Sequence, residues 1–176
     1  MKSVYASDKS WPITLLFDTH PEIIDSSFSY FDPSAETQYI KEAIISRAGN
    51  PTIYSNGRSR SHPNDFNVDP TYKKSWDTVF PNVDWIISRP QFTSAHHIIR
   101  NAKEHFTRGL AFLLKLSFFE PTFEKQELLS EFPPTHLIIL PRLTFFDDEK
   151  VDSITYAWFI WSAQLSDTNK IVVVRK

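Results

Sequence analysis

Apolar and polar positions along this chain follow two periods. Tyr39, Ile40, Ala43, Ile44 and Ala48 share one stripe at amphipathic-helix spacing. Ser34 is placed to cap that helix, which runs through Arg47, and Gly49-Asn50-Pro51 to end it. Ala95, Ile98, Ile99, Ala102 and Phe106 repeat the stripe behind a Thr93 or Ser94 cap, and a shorter helix is expected through Leu128-Leu129. Between these stripes lie apolar runs too brief for helices: Ser29-Tyr30-Phe31, stopped by Asp32-Pro33; Thr52–Ser55; and Asp84–Ser88, stopped by Arg89-Pro90. Leu137–Leu140 and Thr155–Ser162 read the same way, and Ile171–Val174 adds an edge strand. Leu110–Phe119 is continuously apolar apart from Lys115 and Ser117, the mark of a central strand covered on both faces. Strands alternating with helices predict an α/β three-layer sandwich around a mostly parallel sheet. The polar residues 1–10 are expected to be a flexible N-terminus, and 11–176 a single domain without linker or internal repeat.

Composition narrows the chemistry. Lys+Arg 19 against Asp+Glu 21 gives a net charge of -2, so no polybasic footprint points to nucleic acid or an anionic membrane. The absence of cysteine excludes disulfides, thiolate zinc sites, iron–sulfur clusters and a cysteine nucleophile. With only Gly49, Gly57 and Gly109, neither a Walker loop nor a G-x-G-x-x-G fingerprint can be written. No apolar run approaches the ~18 residues of a membrane helix, and no signal segment opens the chain, so a cytoplasmic location without membrane contact is expected. The high aromatic content, 15%, lies in the strand-like runs and reads as core, the stripe Trp158, Phe159, Trp161 included.

Isolated polar features read blandly. His96 and His97 are adjacent, so they project to different helix faces, and no third ligand follows at a metal-like spacing; no metal is expected. Asp147-Asp148-Glu149 reads as a solvated turn. Arg58, Arg60, Lys73 and Lys74 suit either phosphate contacts or solvated loops, with Asp65 and Asp69 nearby. No Ser/His/Asp order or paired-carboxylate spacing suggests a hydrolase.

Several fragments, taken in order, carry more. Asp18-Thr19-His20-Pro21-Glu22-Ile23-Ile24 is similar to a T-P-P-E-I segment, and Phe31-Asp32-Pro33-Ser34-Ala35 to a first-strand D-P-S-A-G-x-G motif. His62-Pro63-Asn64-Asp65-Phe66 supplies an acidic residue after the third motif, and Asp84-Trp85-Ile86-Ile87-Ser88-Arg89-Pro90-Gln91-Phe92 is similar to D-W-I-I-S-N-P-P-F. Leu113–Glu120, Leu140-Pro141-Arg142 and Tyr156–Trp161 fit the remaining strands. From about Thr19 to Trp161 the chain thus resembles the S-adenosylmethionine-dependent methyltransferases of the N6-adenine DNA type. The resemblance implies a Rossmann-like seven-stranded sheet, parallel except for a strand at Thr155–Ser162. It implies S-adenosylmethionine as cofactor, held by Thr19, Pro21, Asp32, Pro33, Ser34, Ala35, Asn56 and Asp65. It implies a catalytic loop of Arg89, Pro90 and Phe92, whose ring would stack on a flipped base.

The departures from the motif fall on the chemistry. Glu36 and Gln38 stand where the motif has glycines that let the backbone approach the cofactor's methionine half. Arg89 stands where an Asn oxygen would accept a hydrogen bond from the adenine amine, and a guanidinium has five donors and no acceptor. Gln91 replaces the second Pro. The expectation is a methyltransferase-like chain with activity lost or altered, the alternative being a non-catalytic module on the same fold that binds nucleic acid or a protein. The oligomeric state is not legible.

Overall fold

The first helix, α1 (Trp11–Thr19), is absent from the periodic pattern because its apolar residues run nearly continuously rather than along a stripe. Pro12 sits in its first turn, where a missing N–H breaks no helical bond, and Trp11, Ile13, Leu16 and Phe17 are buried. A computed structural model describes residues 10–57, 63–120, 122–141, 154–166 and 170–174. After α1 come a 3-10 turn (Pro21–Ile23), β1 (Ser29–Asp32), α2 (Tyr39–Ala48), β2 (Thr52–Ser55), α3 (Lys73–Thr78), β3 (Val83–Ser88) and α4 (Ala95–Ala102). They are followed by β4 (Phe106–Lys115), α5 (Phe123–Glu131), β5 (His136–Ile139), β6 (Tyr156–Trp161) and β7 (Ile171–Val173).

Three boundaries differ from the sequence reading, each for a local reason. Helix α2 begins at Tyr39 rather than behind Ser34, because the Ala35 amide donates to Asn56 O (2.8 Å) and holds the intervening turn against β2. Gly49 ends it with φ +80°. Phe106 opens β4 instead of closing α4, since the His105 amide turns back to Ala102 O while its carbonyl accepts from Val83 N. Strand β4 stops at Lys115, where the Leu116 amide donates to Thr155 O and Leu116–Phe119 tightens into a 3-10 turn. The short helix α3 was not anticipated either; Lys73 and Lys74 lie in it, and Lys73 pairs with Asp77 one turn on at 2.8 Å. Arg58, Arg60, His62, Arg142, the acidic turn 147–149 and the first nine residues lie outside the described residues.

The seven strands form one sheet in the order β2-β1-β3-β4-β6-β5-β7. β6 is antiparallel to both neighbours and every other pairing is parallel, as the resemblance implied. Alternation along the strands feeds two cores. Tyr30, Trp85, Ile87, Leu113 and Trp158 pack against α1 and α2; Phe31, Ile86, Phe112, Phe159 and Trp161 pack against α3, α4 and α5. The buried indoles are anchored through their N–H groups, Trp158 to Pro12 O (2.7 Å) and Trp161 to Phe132 O (2.9 Å). Strand β2 lies on one side of β1 and β3 on the other, so the chain reverses its direction of travel between β1 and β3. In an open α/β sheet that reversal opens a crevice at the carboxyl ends of the strands, where ligands bind.

Candidate cofactor and catalytic crevice

Asp32 ends β1 and Ser88 ends β3, and the two side chains meet at this reversal. Ser88 Oγ donates to Asp32 Oδ1 at 2.6 Å, the Ser34 amide donates to the same oxygen at 3.0 Å, and both side chains are buried. Burial pushes the Asp32 carboxyl up to about 6, against the downward pull of the Ser88 and Ser34 hydrogen bonds. The folded chain therefore holds this proton to a higher pH than the unfolded chain, whose carboxyl titrates near 3.8. Between those values the folded state binds more protons, so this group's contribution to stability falls as pH rises. His20, His96 and His105 are held below the ordinary imidazole value by burial and slope the opposite way, so the informative quantity is a difference between proteins. We expect Asp32→Asn to match wild type near pH 4 and to exceed its stability by about 2–3 kcal/mol at pH 8, a shift of two units being worth about 3 kcal/mol. Urea denaturation of both proteins across that range checks it, and parallel pH profiles would refute it.

The remaining cofactor candidates are largely occupied by the protein itself. Asn56 is buried; its Nδ2 donates to Pro33 O (2.8 Å) and Val68 O (3.0 Å), and its Oδ1 accepts from Val68 N. Asp65 Oδ2 accepts from both the amide and the hydroxyl of Ser55, fixing the end of β2. Thr19 Oγ1 donates to Leu15 O within α1, and Pro21 is exposed in the following 3-10 turn. Asp32, Pro33, Ser34 and Ala35 do form the turn above β1, stitched to β2 through Asn56 N→Asp32 O and Ala35 N→Asn56 O. The cleft between that turn and β2 is lined by Asp32, Ala35, Thr37, Gln38, Ser55 and Asn64, and its interior is about 10 Å³, room for about one water.

The loop after β3 brings the two sets of departures together. Gln91 Nε2 donates to Glu36 Oε1 at 3.1 Å, tying the residue that replaces a catalytic Pro to one that replaces a cofactor-loop Gly. Pro90 is buried and Arg89 exposed. The Phe92 ring is half-buried, packed 5.6 Å from the Tyr156 ring and capped by Lys115 Nζ at 4.6 Å. Sequence reasoning assigned no role to Ser88 or to the Glu36–Gln91 pair; the parallel neighbouring of β1 and β3 would have suggested both.

The cofactor implied by the resemblance can be tested against these residues. Gln38 sits at φ -90°, outside the positive-φ region that a motif glycine can occupy. The exposed Glu36 carboxylate stands where it would either repel the cofactor's own carboxylate, by about 1–4 kcal/mol at 4 Å, or pair with its ammonium group. Glu36 and Gln38 do not reproduce the glycine cradle that the motif offers to its amino-acid half.

No protein-family model matches the chain, and no curated protein matches it by sequence. Solved structures match the fold. A modification subunit assigned to a type I restriction enzyme of Vibrio vulnificus YJ016 superposes with a TM-score of 0.68 at 9% identity, covering 93% of this chain and 44% of that one. A protein assigned as a class I S-adenosylmethionine-dependent methyltransferase of Listeria monocytogenes gives 0.62 at 12% identity, covering 99% and 67%. The M protein of the type I restriction enzyme EcoKI gives 0.59 at 10% identity, covering 98% and 47%. The fold is the Rossmann-like methyltransferase fold. This chain spans less than half the length of both of these restriction-enzyme proteins.

Proposed function

We propose that this chain is a methyltransferase-fold module of the N6-adenine DNA type in which methyl transfer has been lost, and which acts by binding a partner rather than by turnover. The observation that carries the reading is the Gln91–Glu36 hydrogen bond at 3.1 Å. Two loops that in the resembled family frame a cofactor and a base are here joined to each other, through residues that are themselves the departures. The bond is exposed and contributes about 1 kcal/mol at most, so it marks the changed site rather than sealing it. The loss of activity rests on the chemistry of the four side chains Glu36, Gln38, Arg89 and Gln91.

A protein partner suits the chain better than bare DNA. Its net charge of -2 supplies no phosphate-binding excess, and two of the matched structures are named as subunits or proteins of larger restriction enzymes. Calorimetric titration with S-adenosylmethionine tests the reading. We expect the wild-type chain to bind no tighter than about 1 mM. Glu36→Gly with Gln38→Gly should tighten binding by about tenfold or more by removing the carboxylate and two β-carbons. Micromolar binding by the wild type would overturn the proposal.

A further inference from the structure

Helices α4 and α5 pack together through their first turns, and three potential ligands converge there. His96 and His97 lie in the opening turn of α4 and Glu124 in that of α5. The two imidazole centroids are 3.9 Å apart, although adjacent positions on a helix ordinarily diverge. One ligand atom from each of the three residues lies within 4.8 Å of the others. His96 Nε2 is 3.0 Å from Glu124 Oε2 yet outside hydrogen-bond geometry, leaving a buried ring nitrogen without a hydrogen-bond partner.

We propose that His96, His97 and Glu124 form a binding site for a borderline divalent cation of the zinc class, with the fourth position open to water or an external ligand. Two imidazoles and one carboxylate suit zinc; calcium and magnesium take oxygen ligands throughout. Around tetrahedral zinc, with bonds of about 2.0–2.2 Å, donor atoms stand roughly 3.3–3.5 Å apart. The His96–Glu124 pair is already near that separation, and Glu124, with a side chain 65% exposed, is free to adjust. Arg100, the neighbouring cation on α4, is paired with Glu127 at 2.7 Å. The site escapes a search along the chain because its third ligand comes from another helix. An ion there would pin the start of α4, just beyond the Arg89–Ser94 loop, to α5.

The test is calorimetric titration of the tag-free chain with zinc chloride, alongside thermal melting with and without the ion. We expect one saturable equivalent and a rise in Tm. His97→Ala and Glu124→Gln should each weaken binding by about tenfold or more, at least the 10–100-fold that outer-shell partners of metal sites are worth. His105→Ala, which removes a histidine outside the cluster, should leave it unchanged. Glu124→Gln is a near-isosteric change at an exposed side chain, so its circular dichroism should match wild type and its affinity can be read without a folding correction. Absence of saturable binding by the wild type, or equal affinity in the wild type and both variants, would overturn the proposal.

Discussion

Incubated with radiolabelled S-adenosylmethionine and single- or double-stranded DNA or RNA, the wild-type chain is expected to transfer no methyl group to adenine above background. The resembled reaction needs an acceptor facing the target amine, and Arg89 offers donors only. Losing one preorganised polar contact of this kind costs about 3–4 kcal/mol, or two to three decades in rate. Further losses compound it. Glu36 and Gln38 are expected to weaken cofactor binding, and the Phe92 ring expected to stack on a base is held between Tyr156 and Lys115 Nζ. Two of the four departures touch, Gln91 and Glu36 being hydrogen-bonded to each other, and the other two fall on separate requirements of the reaction; no single reversion is expected to restore activity. Glu36→Gly, Gln38→Gly, Arg89→Asn and Gln91→Pro together are the smallest set with a route back. Turnover by the wild type that disappears in Arg89→Ala would refute the loss of activity and make the guanidinium part of a different mechanism. Turnover that survives in Arg89→Ala would equally end the non-catalytic reading.

The parts of the fold legible in the sequence are those where one physical pattern dominates. Strands β2, β3 and β6 were bounded to within a residue because each is a short apolar run between turn residues, such as Asp84–Ser88 before Arg89-Pro90. The sheet's core followed from the same alternation, which buries Trp158 and Phe159 toward opposite helical layers. What periodicity could not reveal was decided by tertiary contacts. Helix α1 has no stripe because its apolar residues are nearly continuous. Helix α2 starts late because Asn56, remote in sequence, takes the Ala35 amide.

The candidate site divides along the same line. Asp32 and the Arg89–Phe92 loop were legible because motif residues sit at strand ends, and strand order puts those ends side by side. Position in the motif marks Asn56 and Asp65 as cofactor candidates, but it cannot show the bonds that the fold gives them, Asn56 to Pro33 O and Asp65 to the Ser55 amide. The His96–Glu124 contact joins two helices that no linear spacing connects.

Gly109→Ala is expected to destabilise the chain by about 1–2 kcal/mol, although alanine is the better residue for an ordinary strand. In β4, Gly109 pairs with Trp85 of β3, and the indole lies directly over it. A β-carbon at Gly109 would stand 2.2 Å from Trp85 Cζ3, 2.6 Å from Cη2 and 2.9 Å from Cε3. Trp85 is fully buried among Tyr30, Ile87, Ala111 and Leu113, so the rigid ring has no vacant space to enter and the strands must separate instead. Overpacking of this kind costs about 1–3 kcal/mol and occasionally more, and alanine recovers about 0.5–1 kcal/mol of backbone entropy. The net loss should lower Tm by about 2–8 °C in a domain of this size. The cause can be separated from a general intolerance of β4. The Trp85 indole Nε1 is buried without a hydrogen-bond partner, so Trp85→Phe removes bulk without breaking a hydrogen bond. Trp85→Phe alone leaves a cavity and destabilises; combined with Gly109→Ala, the smaller ring makes room for the new methyl group. The double variant should therefore be more stable than the sum of the single changes by about 1 kcal/mol or more. Strict additivity in denaturant midpoints would show that the indole is not what Gly109 accommodates. Strand β3 runs from Trp85 directly to Ser88, so displacement of the indole should also loosen the Ser88–Asp32 contact at the crevice.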